Sequence, residues 1–146
     1  MPPVQSTYGT MSAARAGMIA NGEGVLNDIS RTVEDSAGIG FGVLVFQGTD
    51  DLGITATPGT KVRGITARAQ ARDAATPDKY AQYETAKVIT TGVIWVTVSG
   101  AVTAGADAYY TSAGAFTATS SGNTALTGAF FDSSALSGGL AKIRLG

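Results

Sequence analysis

The run Gly92-Val-Ile-Trp-Val-Thr-Val-Ser99 constrains this chain more than any other segment. Read with a period of two, Val93, Trp95 and Thr97 fall on one face and Ile94, Val96 and Val98 on the other. Apolar groups on both faces predict a central strand covered on both sides. A central strand needs neighbours, and the following sequence supplies them: short strands at Ala108 to Thr111, Ala115 to Thr119, Leu126 to Asp132 and Leu140 to Leu145. The separators Ser112-Ala-Gly114, Ser121-Gly-Asn123 and Ser137-Gly-Gly139 read as turns, at the spacing of an antiparallel sandwich or barrel.

Upstream the pattern is similar but interrupted. Ile39, Phe41, Val43 and Val45 alternate with Gly40, Gly42, Leu44 and Phe46, a strand bulky on one face and flattened by glycine on the other. A turn-rich stretch from Gly48 to Gly59 follows, containing Asp50-Asp51 and Pro58-Gly59. Val62 to Arg72 alternates again, with Ile65, Ala67, Ala69 and Ala71 opposite Thr66, Arg68, Gln70 and Arg72, a half-exposed strand with a cationic edge. Thr76-Pro77-Asp78 suits a single capped helical turn. Ala86 to Ile89 is a further strand, set off from the central one by a Thr-Thr-Gly break. The expected fold is all-β, an antiparallel β-barrel or jelly-roll-like sandwich.

At 146 residues the chain makes one ordinary domain. Residues 1 to about 30 read as an extended arm docking on a partner or neighbouring subunit, and 31–146 as the body. Pro2 and Pro3 fix an extended start, while Ser12 to Ile19 admits either a short capped helix or a loop docked on the body. Gly, Ala, Ser and Thr make about half the chain, so large apolar side chains are dilute and neighbouring subunits are expected to assist the core.

Absences narrow the function. Without Cys or His there is no disulfide framework, thiol nucleophile, Ser-His triad or zinc site of the usual ligands, and stability is independent of redox state. Ten basic and eleven acidic residues leave a net charge of −1, with none of the Lys/Arg clustering that phosphate neutralisation demands, so no direct nucleic-acid binding is expected. No stretch reaches the roughly 18 apolar residues of a bilayer span and the N-terminus lacks a basic, apolar leader pattern, so no membrane association is expected. Gly38-Ile-Gly-Phe-Gly42 resembles half a dinucleotide fingerprint but no helix follows it, and Pro58-Gly-Thr-Lys61 lacks P-loop spacing. Asp50, Asp51, Asp73 and Asp78 match no calcium-loop spacing and read as turn residues. No cofactor is called for. A carboxylate-pair hydrolase is the one enzyme class the composition leaves open, and no pair is placed for it.

The words Gly92-Val-Ile-Trp-Val, Gly105-Ala-Asp-Ala-Tyr-Tyr, Gly114-Ala-Phe-Thr, Gly128-Ala-Phe-Phe and the ending Gly138-Gly-Leu-Ala-Lys-Ile-Arg-Leu-Gly146 together resemble the tailed-phage capsid decoration proteins called structural cement proteins. Tyr8-Gly-Thr-Met, Gly17-Met-Ile-Ala-Asn21 and Asp78-Lys-Tyr-Ala-Gln82 extend the resemblance over most of the chain. Tyr83-Glu84 stands where the resemblance leads one to expect a Gly-Asp turn. The resemblance implies a non-enzymatic β-barrel or jelly-roll-like body, made in the host cytoplasm. It implies that the protein attaches as a dimer or trimer to the outer surface of an assembled icosahedral head and clamps neighbouring major capsid protein subunits.

On that reading the candidate partner contacts are Tyr8, Met11, Arg15, Met18, Arg68, Arg72 and Tyr110. Arg68 and Arg72 would either pair with acidic groups of the shell or form a solvated strand edge that discourages aggregation. Candidate core residues are Phe41, Val43, Ile94, Trp95, Val96, Phe130 and Ile143. Tyr109-Tyr110 places one ring inside and one outside. An outward ring together with Trp95 would also suit the alternative of a carbohydrate-binding β-sandwich module on a virion or cell surface.

Overall fold

The computed structural model describes residues 14–20, 25–69 and 78–146, and among these there is no helix. The strands are β1 (Asn27–Val33), β2 (Ile39–Gly40), β3 (Leu44–Gln47), β4 (Gly53–Thr55), β5 (Val62–Thr66), β6 (Lys79–Tyr80), β7 (Thr85–Thr97), β8 (Asp107–Tyr110), β9 (Phe116–Thr117), β10 (Thr124–Phe131) and β11 (Leu140–Leu145). The all-β expectation holds. The pairing is antiparallel except between β1 and β4, which run parallel.

The thirteen-residue β7 is the spine. The order β1-β4-β3-β5-β7 closes on itself because β1 also pairs β7, giving a five-stranded ring. From β7 the sheet continues through β11, β10, β8 and β9, and a bridge from Phe116 to Val98 returns it to the end of β7. The nine-stranded sheet is thus two rings sharing one strand, with β2 and β6 paired as a separate two-stranded sheet.

The Thr-Thr-Gly segment expected to break β7 is instead a bulge within it. Asp28 faces Ile89 and Asn27 faces Thr91, so Thr90 is an extra residue on β7. One inserted residue exchanges the faces of everything beyond it. Before the bulge, Ala86 and Val88 point into the first ring with Val33, Phe41, Val45, Ile54 and Tyr80. After it, Ile94, Val96 and Val98 face the second core, with Phe131, Ala141 and Ile143. Leu44, Phe46, Ile65 and Ile89, on the outer wall of the first ring, belong to that second core. One strand therefore serves two cores.

Other expectations need correction. The strand foreseen from Ile39 to Phe46 is split into β2 and β3 by a turn in which Gly42 adopts φ +69°. Fully buried Thr66 latches this turn: its Oγ1 donates to the Gly40 carbonyl at 2.7 Å and accepts from the Val43 N–H at 3.0 Å. The strand expected over Val62 to Arg72 stops at Thr66. The proposed helical turn at Thr76-Pro77 lies outside the described residues.

The arm boundary at residue 30 falls inside β1, which pairs β7 from Asn27 onward. Residues 14–20 contain no helix and run beside the second half of β7; Ser12 is outside the described residues. The Gly17 N–H donates to the Trp95 carbonyl at 2.8 Å, the Trp95 N–H to Met18 at 2.9 Å and the Ala20 N–H to Val93 at 2.9 Å. On the other side the Arg68 N–H donates to the Gly17 carbonyl at 2.7 Å. In its described parts, the stretch expected to dock on a partner is docked on its own body and seals one seam between the rings. Gly17 is required there: it has φ +83°, and a Cβ would lie 2.6 Å from the Phe41 Cβ and 2.8 Å from the Gly42 nitrogen.

Candidate interaction surface

The segment 14–20 builds a surface as well as a seal. Its turn is closed by the Met18 N–H donating to the Arg15 carbonyl at 3.1 Å, while the Arg15 N–H approaches the Met18 Sδ at 3.1 Å. Both side chains are thereby presented outward, Met18 being 39% exposed. Arg68, from the end of β5, rises beside them. Its guanidinium lies 4.8 Å above the Phe41 ring and its Nε donates to the Ala16 carbonyl at 3.2 Å. Arg15, Gly17, Met18, Ile19 and Arg68 line a shallow depression of about 470 Å³. Of the candidate contacts, the structure brings Arg15, Met18 and Arg68 together. Tyr8, Met11 and Arg72 lie outside the described residues.

Among the described residues, Arg15 and Arg68 have one carboxylate paired beside them, Asp78, 3.7 Å from Arg68. That carboxylate is mostly exposed, so the pair is weak and, among the described residues, leaves the depression basic. Beyond it the outer face of the second ring carries aromatic rings, each beneath a cation. Lys142 Nζ stands 5.9 Å from the Trp95 ring, and the Arg144 guanidinium 5.9 Å from the Phe130 ring while paired to Asp132 at 2.9 Å. Direct cross-strand register produces these contacts: Trp95 opposes Lys142 and Phe130 opposes Arg144. The alternation of Lys142 and Arg144 with Ala141, Ile143 and Leu145 is the signal that would have found them.

Several candidate positions are corrected by this geometry. Tyr110, offered as a partner contact, is buried, packs 5.4 Å from Phe46 and donates its hydroxyl to the Gly59 carbonyl at 3.2 Å. Trp95 and Phe130, offered as core, are half-buried on the outer face, because Ile94, Val96 and Phe131 already fill the inner one. Val43 is half-buried and packs on the first core from outside. Phe41, Ile94, Val96 and Ile143 are buried. The aromatic residues named for a carbohydrate platform are dispersed: Tyr109 lies opposite Thr117 and Ala125 on β9 and β10, whereas Trp95 is across the sheet on β7.

One further feature is a turn with a built-in cap. The Glu34 carboxylate accepts from the Thr49 hydroxyl, the Thr49 N–H at 3.0 Å and the Asp50 N–H at 3.4 Å. The Thr49 hydroxyl first, then these N–H groups, hold its pKa below the ordinary glutamate value. The carboxylate occupies the space above Gly48 and Gly53, where a Cβ would strike it. Among the described residues no cluster of three His, Cys, Asp or Glu side chains is placed to hold a metal ion.

The sequence matches the family model described as "Structural cement protein (E217 gp24/Pam3 gp6)" over residues 4–146. Comparison with curated proteins gives no match. Among solved structures, a chain of "The capsid of Myoviridae Phage XM1" has a TM-score of 0.74 at 22% identity, over 100% of this chain and 98% of that one. A chain from "The crystal structure of head fiber gp8.5 N base in bacteriophage phi29" has a TM-score of 0.46 at 13% identity, over 84% of this chain and 95% of that one. The first likeness shows a shared fold; the second is too loose to bear on the argument. With the family match spanning all but the first three residues, this chain belongs to the structural cement protein family, structural proteins of the phage capsid rather than enzymes.

Proposed function

We propose that this protein binds the outer surface of an assembled icosahedral phage head as a dimer or trimer and stabilises it by bridging major capsid protein subunits. The observation that carries the reading is the convergence of Arg15, Met18 and Arg68 on one rigid patch of a cement-family fold. A ligand that binds only the assembled arrangement stabilises it by linkage, by RT ln(1 + [L]/Kd) per site. Joining several weak footholds in one oligomer raises the effective concentration of each. The spine suits bridging: thirteen residues at about 3.3 Å each make a stiff rod of about 40 Å. In this reading the Arg15 and Arg68 guanidiniums meet shell carboxylates, Met18 fills an adjoining apolar contact, and Tyr8, Met11 and Arg72 add further contacts.

The test is co-sedimentation with empty expanded shells. The wild-type protein is expected to pellet with shells, more weakly as salt rises, and Arg15→Glu combined with Met18→Asp is expected to stay in solution while remaining folded. Wild-type protein that fails to pellet would refute shell binding. A double variant that pellets like wild type would refute this patch as the foothold.

A further inference from the structure

Residues 14–20 seal one side of the junction between the rings. Among the described residues the other side is an open cleft of about 580 Å³ between β5 and β10, where β5 parts from β7 and β11 takes its place. Its lining includes half-buried Val62 and the edges of the largely buried Leu126 and Leu145, with Tyr110 and Thr60, Thr90, Thr124 and Thr127. Arg63 lies within it, and the Nε of Arg63 is buried with no hydrogen-bond partner among the described residues. Arg63 is half-buried and makes no ion pair among the described residues, so its guanidinium is left for an incoming acceptor. The cleft is therefore suited to a carboxylate accompanied by a single apolar side chain.

The chain itself carries such a group. The turn between β3 and β4 presents exposed Asp50 and Asp51 followed by Leu52, which is 61% exposed. Neither aspartate makes an ion pair among the described residues. The turn is held from beneath by the Glu34 cap and by Gln47 Nε2, which donates to the Asp50 carbonyl at 2.7 Å. Little ordering entropy remains to be lost when a preorganised turn docks.

We propose that the Asp50–Leu52 turn of one copy enters the Arg63 cleft of a second copy, a carboxylate meeting the Arg63 guanidinium and Leu52 packing among Val62, Leu126 and Leu145. This contact deepens the oligomeric part of the proposed function, but its test needs no shells, so its failure leaves shell attachment standing. Sedimentation of the isolated protein reads it. Wild type is expected to self-associate, more weakly at high salt. Arg63→Glu, and separately Asp50→Lys with Asp51→Lys, should each weaken self-association by about tenfold or more, the scale of a close interfacial charge pair.

Mixing the two charge-reversed variants should restore association, because each supplies the complement the other lacks. Leu52→Asp, on an exposed side chain, should weaken association alone and recover only when mixed with a variant that keeps the wild-type turn, such as Arg63→Glu. Arg63→Gln serves if the reversed variant fails to fold. Wild-type protein that stays monomeric at the highest workable concentration, variants that associate like wild type, or a mixture that fails to recover would each overturn the proposal.

Discussion

Replacing Gly17 by Ala tests how the sealed seam supports the interaction surface. The substitution imposes a left-handed φ on an L-residue, about 1–2 kcal/mol, and drives a methyl against the Phe41 Cβ and the Gly42 and Arg68 nitrogens, about 1–3 kcal/mol more. The total, roughly 2–5 kcal/mol, rivals what holds the segment: the four backbone hydrogen bonds of Gly17, Met18 and Ala20, each worth about 0.5–1.5 kcal/mol net. The cheaper response is release of residues 14–20, with the rings intact. Native-state hydrogen exchange distinguishes that outcome from general weakening. The Trp95 and Arg68 amides, which donate to the segment, should lose protection, while the Ala67 amide, which donates to Lys87, should keep it.

Gly105→Ala is the control. Gly105 has φ +89° but nothing within 4 Å of an added Cβ, so it carries the conformational cost alone. If Gly17→Ala costs no more than Gly105→Ala in denaturant unfolding and the Trp95 amide stays protected, the reasoning is refuted. Because Arg15 and Met18 ride on the released segment, shell binding should fall with the protection.

Thr66→Val keeps shape but strands the Val43 N–H and the Gly40 carbonyl, and denaturant titration should show a loss of about 2–4 kcal/mol; less than about 1 would mean the latch is dispensable. Tyr83 holds φ +68°, the one positive φ outside glycine among the described residues, and its side chain is 76% exposed. Tyr83→Gly removes about 1–2 kcal/mol of strain against about 0.5–1 of added chain entropy, so unfolding should show neutrality or a gain of up to about 1.5 kcal/mol, and a clear loss would contradict the argument. Glu34 is depressed in the folded state, so its contribution is complete above the unfolded carboxyl pKa and disappears as pH falls through the lower folded one. Stability measured against pH should therefore be flatter across that acidic window in Glu34→Gln, and an unchanged slope would remove the cap from the account.

Alternation made much of the body legible in the sequence. Leu140 to Leu145 lies where its period of two placed it, and the two faces of Val93 to Val98 separate as expected. Alternation is silent, however, about what covers each face, and so Trp95 and Phe130 read as core in the sequence although Ile94 and Phe131 fill the inner face. Nor does local pattern separate a bulge from a break: Thr90-Thr91-Gly92 has the composition of a turn, and only pairing with β1 and β11 keeps the strand continuous. Tyr83-Glu84 stands where the resemblance leads one to expect a Gly-Asp turn, and Tyr83 takes the left-handed conformation a glycine would favour. Arg15, Met18 and Arg68 were nameable one by one, but their meeting depends on Gly17 fitting beside Phe41 and Gly42, a long-range contact that no window of sequence contains.

The most direct measurement of the central claim is the temperature at which empty expanded shells open, with and without saturating protein. Shells carrying the wild-type protein should open at a higher temperature, and shells given Arg15→Glu with Met18→Asp should open with the undecorated ones. An opening temperature unmoved by bound wild-type protein would contradict the claim that this chain works by holding shell subunits together.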